Sequence, residues 1–353
     1  MKKHIAVLPG DGVGPEIIHE AVEVLKVIAE KFDHEFIFTN GLIGAAAIDD
    51  TGEPLPKETE ELCLKADAVL LGAIGHPRFD NDPSAKVRPE QGILALRKNL
   101  DVYSNVRPIF LFDAATKRSP LKQDIVEGVN FIVIRELIEG IYFGEKGRNE
   151  TRDEAYDTST YTKKGIQRIA KYAFELARER KKELTLVDKA NVLETSRLWR
   201  ETVQAMESEY PDVTVTYMFV DNAAMQIIKN PKAFDVVLTE NMFGDILTDE
   251  ASVITGSLGM LPSASIGEKT AVYEPIHGSY PKATGLNIAN PIATILSAAM
   301  MLEYSFGMKK ESDAIYTAVE AVLNQGYGTK DIANETILGT KELGDKIRNE
   351  LKN

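Results

Sequence analysis

Short apolar runs recur along the chain, each followed by a longer stretch with helical periodicity, and this alternation leaves few folds open. Ala68–Leu71, Phe131–Ile134, Leu184–Val187 and Val236–Leu238 are almost wholly apolar. A strand wetted on one face would alternate polar with apolar residues. Runs like these suit strands covered on both faces, as in a parallel sheet between helices. Lys3–Leu8, Glu35–Thr39 and Val213–Phe219 complete the expected strands. The helical segments are Pro15–Lys31, Leu55–Lys65, Lys163–Lys182, Glu194–Ser208 and Gly244–Val253, with helices dominating from Pro291 onward. The pattern predicts an α/β fold. At ~150 residues per domain, 353 residues suggest two domains.

Composition narrows the function. With 54 acidic against 41 basic side chains the formal charge is −13, which disfavours nucleic acid, because phosphate binding needs a basic face. One cysteine, Cys63, excludes an internal disulfide and a thiolate zinc site and fits a reducing cytoplasm. Lys2 and Lys3 precede only a short apolar run before Pro9 and Gly10, unlike a secretory signal. Ile292–Leu302 is too short to span a bilayer. A soluble cytoplasmic protein with no membrane partner is the expectation.

Several constellations suggest chemistry. The glycine cluster Leu8-Pro-Gly-Asp-Gly-Val-Gly-Pro-Glu16 follows a strand and opens a helix. Its spacing fits neither the dinucleotide fingerprint nor a phosphate-binding P-loop, so a tight turn is the simpler reading. Asp245 and Asp249 lie four apart, on one helical face. No Lys or Arg occurs between Lys232 and Lys269 to relieve their repulsion. A hard divalent cation such as Mg²⁺ or Mn²⁺ would do so, and a solvated acidic face near a helix start fits equally. Arg97, Arg107 and Arg135 could grip carboxylates through bidentate forks. Arg135 stands out because it continues a buried strand, and ligands gather at the carboxyl ends of strands in such sheets. Lys189 follows the strand ending at Val187 in the same way and could act as a base, while Tyr142 is an acid or a packed aromatic. The polar segment 138–161 breaks the alternation and reads as a loop or an arm ordered against another subunit. The histidines form no HExxH pattern, and Ser263-Ala-Ser-Ile-Gly267 lacks the first glycine of a serine-nucleophile elbow.

Taken in order, LPGDGVGPE (8–16), GILALRK (92–98), IRELIEGIYFG (134–144), VDKANVLE (187–194), ENMFGDILTDEAS (240–252), LPSASIG (261–267) and EPIHGSYPKATGLNIANP (274–291) resemble the β-decarboxylating dehydrogenases of 2-hydroxy diacids, the isocitrate/isopropylmalate dehydrogenase family. The resemblance implies an α/β/α sandwich with a cofactor site that is not a Rossmann turn. Its implied division is a cofactor-binding domain of residues 1–102 and 256–353, and a substrate, metal and dimerisation domain of 103–255 with an arm near 138–162. It assigns Arg97, Arg107 and Arg135 to the substrate's carboxylates and Asp221, Asp245 and Asp249 to Mg²⁺ or Mn²⁺, with Asp221 also at the substrate. Lys189 matches the group that removes the hydroxyl proton, and Tyr142 the group that protonates the enol. Lys189 and Asp221 are implied to reach the site from the partner subunit of a homodimer.

The resemblance also frames substrate and cofactor. Relatives acting on isocitrate carry a hydroxyl and an amide before the first arginine. Ile93 and Leu94 here, with Val192 beyond Lys189, favour an isopropyl group over a third carboxylate. The implied substrate is therefore 3-isopropylmalate, a step of leucine synthesis, with isocitrate, homoisocitrate and tartrate as alternatives. Glu274, His277, Gly278, Ser279 and Asn290 match the cofactor loop. NAD-using members usually place an aspartate five residues after the loop histidine, as acceptor for the adenosine ribose. Lys282 stands there instead, and a lysine cannot accept. NADP-using relatives pair such a lysine with a following tyrosine, whereas this chain has Ala283. NAD is the expected cofactor, with weakened discrimination against NADP.

Overall fold

The computed structural model describes residues 1–353 except Pro83. Two compact units emerge, one of Met1–Val102, Phe112–Pro120 and Thr255–Asn353, the other of Tyr103–Leu111 and Leu121–Ile254. Phe112–Pro120 differs from a simple division at residue 103. It packs with the first unit, where Asn334 Nδ2 donates to the Ala114 carbonyl at 2.6 Å.

In the first unit the strands lie in the order Glu35–Asn40, Lys2–Gly10, Ala68–Ala73, Ala271–Pro275 and Pro262–Ile266. The first four pair in parallel, with Ile5 opposite Ala68 and Val272 opposite Val69. The last runs antiparallel, with Ser263 opposite Glu274. Gly14–Phe32 is helical because Pro15 sits in its first turn and Ile17, Ala21, Val24, Leu25 and Ile28 recur on one buried face. It ends where Asp33 turns left-handed at φ 56°. Each large aliphatic side chain on that face contributes about 1.5–3 kcal/mol by leaving water. Ile292–Tyr304 is buried continuously from Ile292 to Leu302, so it is a core helix. Among the described residues no helix is long and apolar enough to cross a membrane.

The second unit orders its strands Ser104–Phe110, Asn130–Glu136, Val236–Thr239, Glu183–Asp188 and Thr214–Phe219. The Ser104–Phe110 strand runs antiparallel to Asn130–Glu136 and the other pairs are parallel. Strand pairing within each unit is therefore mixed, where the apolar runs alone suggested parallel pairing. Helices Lys163–Glu179, Glu194–Met206, Val220–Lys229 and Asn241–Thr255 alternate with these strands. Thr162 caps the first of them, its hydroxyl accepting from Gly165 N–H. Within segment 138–161, Lys146–Arg148 and Ala155–Asp157 form a small antiparallel ribbon, where a loop without regular structure is one reading of the sequence.

Candidate active site

In the first unit the glycine cluster is a backbone crossing point. Gly10 (φ 70°) and Gly12 (φ 60°) are left-handed, and a Cβ would lie 2.0 Å from the Ala73 carbonyl oxygen at Gly10 and 2.0 Å from that of Ser279 at Gly12. No side chain fits there, so glycine is required. Val13 N–H donates to that Ser279 carbonyl at 2.9 Å. Buried Asp11 accepts from the N–H groups of Ala45, Ala46 and Gly75 at 2.9 Å each. The turn thereby holds the loop after His277.

Beside it opens a cleft of about 940 Å³, lined by residues that include Val13, Leu258, His277, Gly278, Tyr280, Ile288, Asn290, Asp331 and Ile337. Its size suits a nucleotide. Three residues expected at the cofactor, His277, Gly278 and Asn290, lie on its wall. Ser279 is buried next to them, and Lys282 is exposed in the turn Pro281–Ala283. Burial pushes the His277 imidazole pKa down, which keeps it neutral, and its Nδ1 lies 2.9 Å from the Gly278 carbonyl. Asn290 Nδ2 donates to Asp331 at 3.1 Å, and Ser257 and Thr329 donate to the same carboxylate. Asp331 and its neighbour Lys330, also on the wall, were not singled out from sequence. An aspartate in a polar turn carries no local signal among 54 acidic residues.

Arg97 belongs to the helix Pro89–Asn99 of the same unit and donates to Glu274 at 2.8 Å, both side chains being mostly buried. Its Nε is buried with no hydrogen-bond partner, and a buried donor of this kind is normally satisfied by a ligand or water. Glu274 therefore meets Arg97. Ile93 is buried on the same helix and Leu94 half-buried.

The second unit gathers Arg107, Arg135, Tyr142 and Asp245. Arg107 sits within the strand Ser104–Phe110 and Arg135 near the end of Asn130–Glu136. Both are almost fully buried, and both pair with Asp245. Tyr142 donates its hydroxyl to the other Asp245 oxygen at 2.9 Å. Burial first, then the negative charge of Asp245, pushes the Tyr142 phenol up to about 12, so it holds its proton at neutral pH. Asp249, one turn further along Asn241–Thr255, has its pKa raised mainly by burial, with Asp245 adding to the rise and Arg107 opposing it. Two carboxylates one turn apart offer hard oxygen donors of the kind Mg²⁺ and Mn²⁺ prefer.

Lys189 and Asp221 form a separate pair. Lys189 follows the strand Glu183–Asp188 and its ammonium donates to Asp221, the second residue of the helix Val220–Lys229. That hydrogen bond holds the Asp221 carboxyl below its usual range. Among the described residues no cluster of three or more His, Cys, Asp and Glu is arranged to hold a metal within one chain. Asp221 thus does not complete a metal set with Asp245 and Asp249 here. Val192, Phe219, Met225 and Ile246, neighbours of these residues in sequence, are exposed. Val192, at 61% exposure, forms no apolar pocket within its own chain.

A family model described as isocitrate/isopropylmalate dehydrogenase matches residues 4–347. A 3-isopropylmalate dehydrogenase of Aquifex aeolicus is 55% identical, over 100% of this chain and 98% of the relative. One from Bacteroides fragilis is 56% identical over 96% of each. Among solved structures, an isocitrate dehydrogenase from Methylococcus capsulatus superposes with a TM-score of 0.89 at 33% identity, covering 99% of this chain and 100% of that one. A β-decarboxylating dehydrogenase from Thermococcus kodakarensis gives 0.79 at 34% identity, covering 99% of this chain and 96% of that one. Sequence identity at this level over the full chain, with the same fold, carries the conclusion: the chain belongs to the isocitrate/isopropylmalate dehydrogenase family.

Proposed function

We propose that this chain is an NAD-dependent 3-isopropylmalate dehydrogenase of leucine biosynthesis. The reaction converts (2R,3S)-3-isopropylmalate and NAD⁺ to 4-methyl-2-oxopentanoate, CO₂ and NADH, the hydride from the alcohol carbon passing to the nicotinamide. The observation that carries this reading is the buried arrangement of Arg107, Arg135 and Tyr142 around Asp245, in a chain whose relatives at about 55% identity bear that activity's name. Two buried guanidinium groups beside one carboxylate suit an anionic ligand. A proton-holding tyrosine beside them suits delivery of a proton to carbon.

Arg97, Arg107 and Arg135 bind the carboxylates of the diacid. Lys189, acting as the neutral amine, receives the proton of the substrate hydroxyl. Tyr142 gives its proton to the carbon that CO₂ leaves, and the raised pKa of its phenol reserves that proton for this step. Asp245 and Asp249, with Asp221 of a second copy, would hold Mg²⁺ or Mn²⁺. When bound, such a cation acidifies the hydroxyl and stabilises negative charge on the substrate oxygen. The wall of His277, Gly278, Asn290 and Asp331, with the apolar Leu258, Tyr280, Ile288 and Ile337, would hold the adenosine half of NAD. Asp331 supplies the pocket with an acceptor carboxylate that Lys282 lacks, and its charge disfavours a 2′-phosphate.

A homodimer is part of this reading. Val192, Phe219, Met225 and Ile246 are large apolar side chains beside functional residues, and a second copy would cover them. The Lys189–Asp221 pair then serves the neighbouring chain. Ile93 and Leu94, with Val192 of the other chain, accept the isopropyl group. The test is turnover of 3-isopropylmalate, isocitrate, homoisocitrate and tartrate, each with Mg²⁺ and with NAD or NADP. The highest kcat/KM is expected for 3-isopropylmalate with NAD, and an equal or higher value with isocitrate would overturn the assignment.

A further inference from the structure

We propose that Asn241 is a positioning residue for Arg135: a neutral, buried amide that fixes the guanidinium for a substrate carboxylate without adding a second negative charge to that of Asp245. The inference rests on the diacid-binding role given to Arg135 above. Asn241 is fully buried and Arg135 nearly so. The Asn241 side-chain oxygen accepts from Arg135 Nη2 at 2.8 Å and from Nε at 3.2 Å, and the Asn241 backbone carbonyl accepts from Nε at 2.9 Å. One edge of the guanidinium fork is thus held by a single residue, and Nη1 on the other side donates to Asp245.

Asn241 is itself held at both ends. Its Nδ2 donates to the Glu139 carbonyl at 3.1 Å, and its backbone N–H donates to the Tyr161 hydroxyl at 3.0 Å. It opens the helix Asn241–Thr255, which carries Asp245 and Asp249. The first turn of that helix also makes room for the arginine. A Cβ on Gly244 would lie 2.6 Å from Arg135 Cγ, so glycine lets the arginine stem lie against the helix.

The chemistry of the amide decides between two roles. A carboxylate in this place would pair with the same fork more strongly and cancel its charge. The amide satisfies the buried donors, which must find acceptors, without adding to the negative charge that Asp245 already sets against the fork. Were Asn241 only filling space and bonds, its loss would cost stability and leave substrate affinity alone.

Asn241→Asp keeps the size and the acceptor oxygen but places a negative charge on the guanidinium. It is expected to raise KM for 3-isopropylmalate about tenfold or more, with a smaller change in kcat and none in KM for NAD. Asn241→Ala, which releases one edge of the fork, is expected to raise the same KM. That effect should shrink to about twofold or less in an Arg135→Lys background, because residues acting through one another are not additive. Unchanged KM in both single variants with only a lowered melting temperature, or full additivity with Arg135→Lys, overturns the proposal. If Asn241→Asp does not fold, Asn241→Ala and the cycle decide alone. If wild type prefers another of the four diacids, the substrate assignment fails and the same cycle is read with that diacid, since each presents a carboxylate to Arg135.

Discussion

Replacing Glu240 by glutamine should change how the stability of this protein depends on pH. Glu240 is 6% exposed, and burial pushes its carboxyl from an ordinary 4.5 up to about 7, against hydrogen bonds from the Phe243 N–H and the Tyr161 hydroxyl. Between those values the folded state keeps a proton that the unfolded chain has released. The group's contribution to stability is therefore greatest below pH 4.5, falls as pH rises toward 7, and is level above that. At 1.36 kcal/mol per pKa unit the loss is roughly 3 kcal/mol. Glutamine keeps an acceptor oxygen and cannot ionise. The variant should match wild type at about pH 4.5 and exceed it by roughly 3 kcal/mol at about pH 8. Glu136, also pushed up to about 7 mainly by burial, stays in place, so part of the slope remains. Urea unfolding of both proteins at one fixed concentration measures this. A difference between variant and wild type that does not change from acid to alkaline pH would refute the reasoning.

Asp245→Asn should lower kcat by about 100-fold or more through weakened metal and Tyr142 contacts while leaving the circular dichroism spectrum intact; full activity after exhaustive chelation would argue against the metal reading. Tyr142→Phe should cost about 100-fold or more in kcat by removing the proton donor, and near-wild-type turnover would remove Tyr142 from that role. Mixing inactive Lys189→Ala and Arg135→Ala chains should recover activity, because a heterodimer can assemble one intact site; verified heterodimers without activity would place both residues in the same chain's site. Lys282→Asp should sharpen the preference for NAD over NADP by repelling the 2′-phosphate, and an unchanged ratio of kcat/KM values would show that Lys282 does not face the ribose.

The α/β class was legible from local composition, because strands such as Ala68–Ala73, buried throughout, need apolar residues at every position. It also marked Arg135, since a charged residue continuing an apolar strand stands out locally. Repulsion between Asp245 and Asp249, four apart on one helix, was likewise legible from spacing. Other features depend on which distant segments meet. Pro262–Ile266 reads as a polar stretch, yet Ser263 and Ser265 are buried in a strand. Ser263 is satisfied by the Glu274 carbonyl across the sheet, a partner no local pattern specifies. The antiparallel pairs escaped for the same reason. Asn241 is one asparagine among many until folding sets it against Arg135, 106 residues away in the chain. Asp331 gains meaning only from Asn290, Ser257 and the cleft they share. Periodicity and chemical type are local and survive in a string of residues. Hydrogen-bond partners and pocket walls are set by long-range packing, and they exist only once the chain has folded.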